Sequence, residues 1–434
     1  MDSLMIGYLS LAGIGVAIYA GLHVAIALAG VSFLGVWALT GKAALAFNFV
    51  ALAGTDSIAE YTFGVVPLFV LMGLAVSESG LGRDTFAIIA RSTRGWRGGL
   101  GVATVLSNAV FAAITGISIA SAAVFSKVAV PQMVAAGTKR SIAVGTVAGS
   151  SVLGMLIPPS LLLILFAILT DSSVGDLFLG GVGPGLLLAL AFGVYLTVLG
   201  RFRPQLFDGP KTLGGADDTT PSALMLPVLG LAGVVLGGIY TGFFTPTEAG
   251  AVGAAAALIL SFAMRRIGTS GAWRIAVQTG HITAAVCFLI VGASIYSRML
   301  AFSGVPASVT EWVVASGIGP LGFLFLFALI VAAMGTILDS SSIMLVTVPL
   351  AFPITQELGI DVVHFGLVTV LAVEIGLLTP PLGLSVFVVQ ATLRHEGVTL
   401  GEVFRGAAPF ALIMAGVLTA VILIPDIATG LIGR

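Results

Sequence analysis

The sequence carries little charge. Lys, Arg, Asp and Glu make up 9% of its 434 residues, whereas hydrophobic residues make up 58%. Because a water-soluble protein carries roughly 25% charged residues, most of this surface must face something other than water. A formal net charge of −1 also gives no sign of the basic surface that nucleic-acid binding uses. The composition therefore predicts an integral membrane protein without a nucleic-acid partner.

Cysteine and histidine are also scarce. The one cysteine, Cys287, excludes an internal disulfide, and the four histidines stand far apart. Metal sites of the Cys/His kind need several such ligands at short spacing, so none is predicted. The first residues, Met1–Ser3, include no Lys or Arg, so the start does not resemble a secretory signal.

Long apolar runs dominate the composition. A helix needs about 20 apolar residues to cross a hydrocarbon layer of ~30 Å. About ten windows approach this length: 4–20, 22–40, 62–80, 142–170, 179–200, 224–240, 247–264, 280–301, 362–393 and 407–428. We therefore predict an all-α protein that spans the lipid bilayer many times.

The two halves of the chain resemble each other. The following pairs are each separated by 222 positions: Pro131 and Pro353, Gly137 and Gly359, Gly154 and Gly376, and Pro158-Pro159 and Pro380-Pro381. A fixed spacing of this kind is typical of an internal repeat. We assign repeat 1 to residues 1–202, a polar linker to 203–222 and repeat 2 to 223–434.

Basic residues are distributed unevenly among the loops. Four arginines lie between positions 83 and 97, whereas the loops near 171–176 and 303–316 contain no Lys or Arg. Because basic loops stay in the cytoplasm, equivalent loops of the two halves lie on opposite sides of the membrane. The repeats are therefore predicted to be inverted, as in many secondary transporters, with the linker in the cytoplasm and both termini outside.

Two apolar stretches are predicted to be re-entrant hairpins, at about 99–131 and 319–353. Gly99–Ile114 would form only about 24 Å of helix, and small polar residues follow it. Basic residues flank the first stretch on both sides, so both of its ends should lie in the cytoplasm. Its counterpart has Leu338–Ser342 at the tip and would enter from the opposite side.

Two further helices, at about 141–170 and 362–393, are predicted to be broken where Gly-x-x-x-Pro-Pro occurs. Proline lacks an N–H and clashes with the preceding turn, which frees backbone groups. Such groups are tolerated inside a membrane only where protein or a water-filled cavity satisfies them. The four broken elements are therefore predicted to meet around a binding site near the membrane midplane.

Several single residues near the breaks have alternative interpretations. Asp339 either takes part in solute or cation binding, because an acidic group at this depth is costly, or caps the helix that follows. Ser118, Ser340 and Ser342 either bind a cation or cap their helical arms. For Glu374 we favour binding of freed backbone N–H groups over carriage of a proton or ion.

Other features have structural interpretations. Thr245–Glu248 (TPTE) matches a capping box with proline at the first helical position. Lys127 and Arg298 are predicted to extend their charged ends toward the membrane surface. The predicted interfacial anchors are Trp96, Trp273 and Trp312.

The chain resembles the large membrane subunit of tripartite ATP-independent periplasmic (TRAP) transporters over essentially all 434 residues. The resemblance rests on six segments in the family's order: 64–81, 107–123 (SNAVFAAITGISIASAA), 153–160 (LGMLIPPS), 245–254, 334–350 (MGTILDSSSIMLVTVPL) and 364–388. It implies an inverted-repeat, elevator-type transporter in the bacterial inner membrane. The implied activity is Na⁺-driven uptake of an organic acid, such as a C4-dicarboxylate, a sialic acid or a sugar or keto acid. A small four-helix membrane subunit and a periplasmic substrate-binding protein are the implied partners.

The resemblance also implies two or more Na⁺ sites. One would be formed by Thr115, Gly116, Ser118, Ser150, Ser151 and Gly154. The other would be formed by Asp339, Ser340, Ser342, Gly376 and Thr379. The organic acid would lie between the tips, near Ser118, Asp339, Ser340 and Thr379. Neither tip has an arginine, so hydroxyls, backbone N–H groups, helix ends and bound Na⁺ would hold the carboxylate.

Three other functions share part of this pattern. A stand-alone Na⁺/organic anion symporter would transport without a binding protein, and an ion channel would conduct through a continuous pore. An intramembrane enzyme would need a Ser/His or paired-Asp arrangement at membrane depth, which the sequence does not contain. The protein is therefore predicted not to be an enzyme.

Overall fold

The computed structural model describes residues 2–59, 61–93, 95–208 and 221–433. Within these ranges the chain forms α-helices and short 3₁₀ turns, and no β-strand. The helices before the linker are α1 Ser3–Tyr19, α2 Val24–Thr40, α3 Ala43–Ala59, α4 Val65–Glu78, α5 Leu81–Thr93, α6 Gly99–Thr115, α7 Ser118–Ala135, α8 Arg140–Ser151, α9 Leu153–Leu156, α10 Leu161–Thr170 and α11 Val174–Phe202. Those after it are α12 Met225–Tyr240, α13 Pro246–Ala263, α14 Thr269–Ser303, α15 Val305–Ala315, α16 Pro320–Gly335, α17 Ser340–Glu357, α18 Val362–Leu378, α19 Leu384–Thr392, α20 Leu400–Leu423 and α21 Asp426–Thr429. The predicted all-α class is confirmed.

Seven helical segments of the described chain are long and apolar enough to cross a membrane. They are Ser118–Ala135, Arg140–Thr170, Val174–Phe202, Ser222–Tyr240, Pro246–Ala263, Thr269–Ser303 and Leu400–Leu423. The pair α4 and α5 forms an eighth span if it is counted as one, with a bend of 60° between the two helices. This count is lower than the ten predicted windows because several windows, including those of α1 and α2, form helices of only 17 residues.

The stretches predicted as hairpins consist of α6 with α7 and α16 with α17. Both second arms are longer than predicted, because Pro131 and Pro353 lie inside α7 and α17 instead of ending them. These arms end at glycines with left-handed backbone, Gly137 at φ +95° and Gly359 at φ +66°. Glycine adopts this conformation at little cost, so the glycine and not the proline determines where each arm stops.

The two helices with Pro-Pro pairs are interrupted. Residues 157–160 separate α9 from α10, and residues 379–383 separate α18 from α19. We call these the first break and the second break; the Pro-Pro peptide bond is cis in both. Arg94 and most of the predicted linker, residues 209–220, lie outside the described residues.

All helices except α5 and the short α21 are grouped here into two sets. In the inner set, α6–α11 and α16–α20, the second arm of each hairpin packs against the broken helix of the other repeat, α7 on α19 and α17 on α10. The crossing of α8 and α20 also joins the repeats, since a Cβ on Gly145 would overlap the backbone of Gly406. In the outer set, α1–α4 and α12–α15, α14 packs against α2, α3 and α4.

Of two local predictions, one is confirmed and the other stays a prediction. The capping box at the start of α13 is confirmed: the Glu248 N–H donates to Thr245 Oγ1 at 3.3 Å, and the Thr245 N–H donates to Glu248 Oε2 at 2.8 Å. The predicted extension of Arg298 toward the membrane surface stays a prediction, and the structure adds an ion pair for this side chain. Its guanidinium donates to Asp56 Oδ2 at 2.8 Å, so a partner on α3 fixes the side chain.

Candidate functional site

Each hairpin tip is hydrogen-bonded to the break in its own repeat. The Gly116 carbonyl accepts a hydrogen bond from the Leu161 N–H at 3.2 Å, and the Thr336 carbonyl accepts one from the Leu382 N–H at 3.1 Å. Leu382 directly follows the second Pro-Pro pair, and Leu161 is the second residue after the first pair. The first tip, residues 115–118, and the second tip, residues 336–339, are thereby held against backbone at the breaks.

Two glycines allow the first tip to approach the first break closely. Gly116 ends α6 with φ +64°, a conformation that favours glycine. A Cβ on Gly154 would lie 3.0 Å from the Ser118 N and from the Ile117 carbonyl carbon. The structure therefore brings the predicted residues Thr115, Gly116, Ser118 and Gly154 together.

Ser118 does not cap its helix. Ile117 occupies the N-cap position of α7, and the Ser118 hydroxyl is fully buried without a hydrogen-bond partner among the described residues. A buried hydroxyl without a partner is costly unless water or an ion satisfies it. The hydroxyl oxygen is a hard ligand of the kind that Na⁺ prefers, so Ser118 fits the predicted cation site.

The other predicted residues of this site lie on α8. Ser150 and Ser151 are fully buried and donate to the carbonyls of Thr146 and Ala148 at 2.6 Å and 2.8 Å. Ser150 also accepts a hydrogen bond from the Asn108 side-chain amide at 2.7 Å. Both serine hydroxyl protons are thus occupied, which leaves oxygen lone pairs for any further contact.

Asn108, which our sequence reasoning missed, is hydrogen-bonded to the predicted site residue Ser150. It lies on α6, is fully buried, and its side-chain oxygen has no hydrogen-bond partner within the described ranges. The amide connects the first hairpin to α8 at Ser150, one of the residues predicted for the first cation site. The sequence did contain a signal for it: an asparagine stands within the apolar stretch 99–114, and a polar residue at membrane depth is a candidate functional residue.

At the second tip, Asp339 is the N-cap of α17. Its Oδ2 accepts a hydrogen bond from the Ser342 N–H at 3.1 Å, and its Oδ1 accepts one from the Ser342 hydroxyl. The capping geometry leaves further lone pairs on both carboxylate oxygens, so it is compatible with cation binding. Ser340 and Ser342 are buried whereas Asp339 is exposed, and neither serine occupies the capping position.

Gly376 and Thr379 lie where α18 ends. A Cβ on Gly376 would lie 2.5 Å from the Gly335 Cα and 2.6 Å from the Ala332 carbonyl oxygen, so glycine allows α18 and α16 to touch. The Thr379 N–H donates to the Gly376 carbonyl at 3.0 Å, and its hydroxyl donates to the Ile375 carbonyl at 2.7 Å. Gly376 therefore has a packing role, whatever its contribution to ion binding.

The residues predicted around the solute belong to two separate groups. Ser118 lies with the first break, whereas Asp339, Ser340 and Thr379 lie on or beside the second tip, and no hydrogen bond joins the groups within the described chain. The first tip is buried and its Thr115 backbone contacts α4 at Gly73. The second break is open, with Pro380–Leu382 exposed.

Our preferred interpretation of Glu374 was wrong. Both of its carboxylate oxygens are buried without a partner in the part of the chain that the structure describes, so no freed N–H group donates to them. The reason is that α18 continues without interruption through Glu374 to Leu378. The backbone groups freed by the Pro-Pro pair come only after that residue.

Comparison with known families identifies the chain. Residues 11–427 match the family model described as tripartite ATP-independent periplasmic transporter, DctM component. The chain belongs to this TRAP transporter family. As a TRAP family member it is a transporter protein with many helices in the membrane, and not a member of an enzyme family.

Named TRAP relatives align along most of their length. The chain is 35% identical over 384 residues to the C4-dicarboxylate TRAP transporter large permease protein DctM of Pseudomonas aeruginosa, covering 86% of each protein. It is 30% identical to the sialic acid TRAP transporter large permease protein SiaM of Vibrio cholerae, covering 87% of this chain and 88% of the relative. It is 29% identical to the ectoine/5-hydroxyectoine TRAP transporter large permease protein UehC of Ruegeria pomeroyi, covering 84% of each.

A solved structure supports the fold of this TRAP protein. The YdaH transporter of Alcanivorax borkumensis superimposes with a TM-score of 0.61 and 16% sequence identity, covering 87% of this chain and 88% of that one. At this identity the likeness concerns the fold alone. The arrangement of helices is therefore similar to that of a transporter described as having an unusual topology.

Proposed function

We propose that this TRAP protein carries out Na⁺-coupled uptake of an organic acid across the bacterial inner membrane. The organic acid is a carboxylate of the kind named for its relatives, such as a C4-dicarboxylate or a sialic acid. A periplasmic binding protein delivers it, and a small four-helix membrane subunit completes the transporter. The observation that carries the proposal is that each hairpin tip is hydrogen-bonded to backbone next to a Pro-Pro pair, so that non-helical backbone lies beside both tips.

Cation binding is supported by oxygens that lack partners. At the first tip this is Ser118 Oγ, and beside Ser150 on α8 it is Asn108 Oδ1, among the described residues. At the second tip the Asp339 carboxylate adds a negative charge. Non-helical backbone at membrane depth is used in the same way for Na⁺ in other secondary transporters. Na⁺ is cargo here, carried inward together with the organic acid.

The elevator mechanism is supported by the two helix sets. The inner set joins the two repeats through the α7–α19, α17–α10 and α8–α20 contacts, so both tips belong to one packed unit. The outer set packs mainly on itself around α14. Movement of the inner set relative to the outer set would carry both tips and their ligands together.

The test is transport by the reconstituted complex. We would place the chain and its small subunit in proteoliposomes and measure uptake of labelled organic acid with and without an inward Na⁺ gradient and a candidate binding protein. Uptake that needs all components and Na⁺, and that is lost in Ser118→Ala, supports the proposal. Uptake by this chain alone would instead identify a stand-alone Na⁺/organic anion symporter. Uptake driven by H⁺ without Na⁺ would contradict the assignment of the coupling ion.

A further inference from the structure

A polar crevice lies where the inner set meets the outer set, and none of the tip residues lines it. It has a volume of about 310 Å³ and is bordered by α3, α14 and the end of α10. Its polar lining consists of Asp56, Ser57, Asp171, Ser172, Ser294, Ser297 and Arg298. The ten residues of α10, about 15 Å of helix at 1.5 Å per residue, connect this crevice to the first break. The loop at 171–173 belongs to the face that the basic residues predict to be external.

Arg298 offers unused hydrogen-bond donors to this crevice. A guanidinium has five N–H donors, and the structure gives Arg298 one hydrogen bond, to Asp56 at 2.8 Å, among the described residues. Ser294 lies one helical turn before it on α14, and residues at this spacing share one face of a helix. Ser297 precedes Arg298 directly and also borders the crevice. One guanidinium and two hydroxyls are therefore presented together.

This set of donors suits a carboxylate. Arginine binds carboxylates through two parallel N–H···O bonds, and Asp56 contacts only one Nη atom, which leaves the other edge of the guanidinium available. Among the charged residues that border the crevice, Arg298 supplies the cation and Asp56 and Asp171 supply two carboxylates. Asp171 is exposed and, as a like charge, opposes the binding of an anion.

We propose that this crevice, here called the capture crevice, binds a small carboxylate before it reaches the hairpin tips, with Arg298 as the cationic ligand and Ser294 and Ser297 as hydroxyl donors. The proposal deepens the proposed function and rests on it for the transported carboxylate. The capture crevice provides an arginine that the tips lack, so the free edge of this guanidinium holds the carboxylate, and the tips then bind it together with Na⁺. Asp171 weakens binding, so the capture crevice holds the carboxylate only for a short time and can release it.

The first test separates binding from transport rate. In proteoliposomes with the small subunit and a candidate binding protein, we expect Arg298→Gln to raise the half-saturating carboxylate concentration about tenfold, the effect of losing one charge-assisted pair, with little change in maximal rate. Arg274→Gln is the matched control, because Arg274 lies on the same helix and donates to Glu78 at 3.1 Å but does not border the capture crevice. Equal effects of the two variants would overturn the proposal.

A second variant predicts a change of opposite sign. Asp171 ends α10 in a left-handed conformation with φ 50°, which asparagine tolerates well. We therefore expect Asp171→Asn to fold normally and to lower the half-saturating concentration, because it removes a like charge from the capture crevice. An unchanged or higher value would contradict the role given to Asp171.

Carboxylate binding in the capture crevice can also be measured without transport, through protection of a cysteine from labelling. In a Cys287→Ser background, Ser297→Cys would be labelled with a membrane-impermeant maleimide in the presence of succinate or N-acetylneuraminate. We expect either carboxylate to slow labelling, and we expect that protection to disappear when Arg298→Gln is added. Protection without Na⁺-driven uptake would refute the proposed function but retain the capture crevice. No protection by either compound would refute the capture crevice itself.

Discussion

At the scale of single residues, several functional positions are also packing positions. Gly376 is the clearest case, since a Cβ there would lie 2.5 Å from the Gly335 Cα. We expect Gly376→Ala to destabilise the protein by ~1–3 kcal/mol, the usual cost of forcing an extra group into a packed interior. The measurement is the thermal midpoint of the purified protein in detergent.

The control is another glycine within a helix. Gly416 on α20 has no neighbouring atom within 4 Å of the point that a Cβ would occupy, so Gly416→Ala adds no contact and gains helix propensity of up to ~1 kcal/mol. We expect a midpoint equal to or above that of the native protein. Matching midpoints for Gly376→Ala and Gly416→Ala would show that the contact between α16 and α18 is not tight.

Asp339 permits its two roles to be separated by substitution. Asparagine is as good an N-cap as aspartate, so Asp339→Asn should keep the cap of α17 while removing the charge, whereas Asp339→Ala should also lose ~1 kcal/mol of helix stability. If the carboxylate binds a cation, both variants lose Na⁺-driven uptake, although only the alanine variant has a lower thermal midpoint. Native uptake by Asp339→Asn would leave capping as the sole role of this residue.

At the scale of elements, the positions of both breaks were predictable, but their surroundings were not. A Pro-Pro pair removes backbone donors wherever it occurs, so residues 157–160 and 379–383 are interrupted for local reasons. The predicted ends of the hairpin arms were less accurate, because the arms continue past the prolines and end at Gly137 and Gly359. The hydrogen bond from Asn108 to Ser150 depends on the packing of α6 against α8, and no sequence spacing encodes that contact.

The contact between α8 and α20 joins elements of different repeats and can be measured directly. Arg140 donates to both carboxylate oxygens of Glu402 at 2.9 Å, with Glu402 largely shielded from solvent. In a double-mutant cycle of Arg140→Gln and Glu402→Gln, we expect a coupling energy of about 1 kcal/mol, at the upper end for pairs near a surface. The reference is the exposed pair of Arg97 and Asp208 at 3.3 Å, for which the coupling should be close to zero. Equal couplings would mean that the Arg140 pair adds nothing beyond an ordinary surface contact.

At the scale of the whole molecule, the division into an inner and an outer set makes a mechanical prediction. Phe69 on α4 and Phe178 on α11 meet across the boundary with ring centroids 5.9 Å apart. In a Cys287→Ser background, we expect the pair Phe69→Cys and Phe178→Cys to lose uptake when a bifunctional methanethiosulfonate links the two cysteines, because the link prevents the sets from moving past each other. Reduction of the link should restore uptake.

A second pair distinguishes blocked movement from chemical damage. Phe33 on α2 and Phe47 on α3 lie within the outer set, with ring centroids 4.8 Å apart, so linking Phe33→Cys to Phe47→Cys should leave uptake unchanged. If the sets move as units, only the link across the boundary inhibits, and it does so in proportion to the fraction of protein that is linked. Full uptake by a completely linked Phe69→Cys and Phe178→Cys protein would show that the boundary between the sets is static, and that the solute crosses the membrane by rearrangement within the inner set.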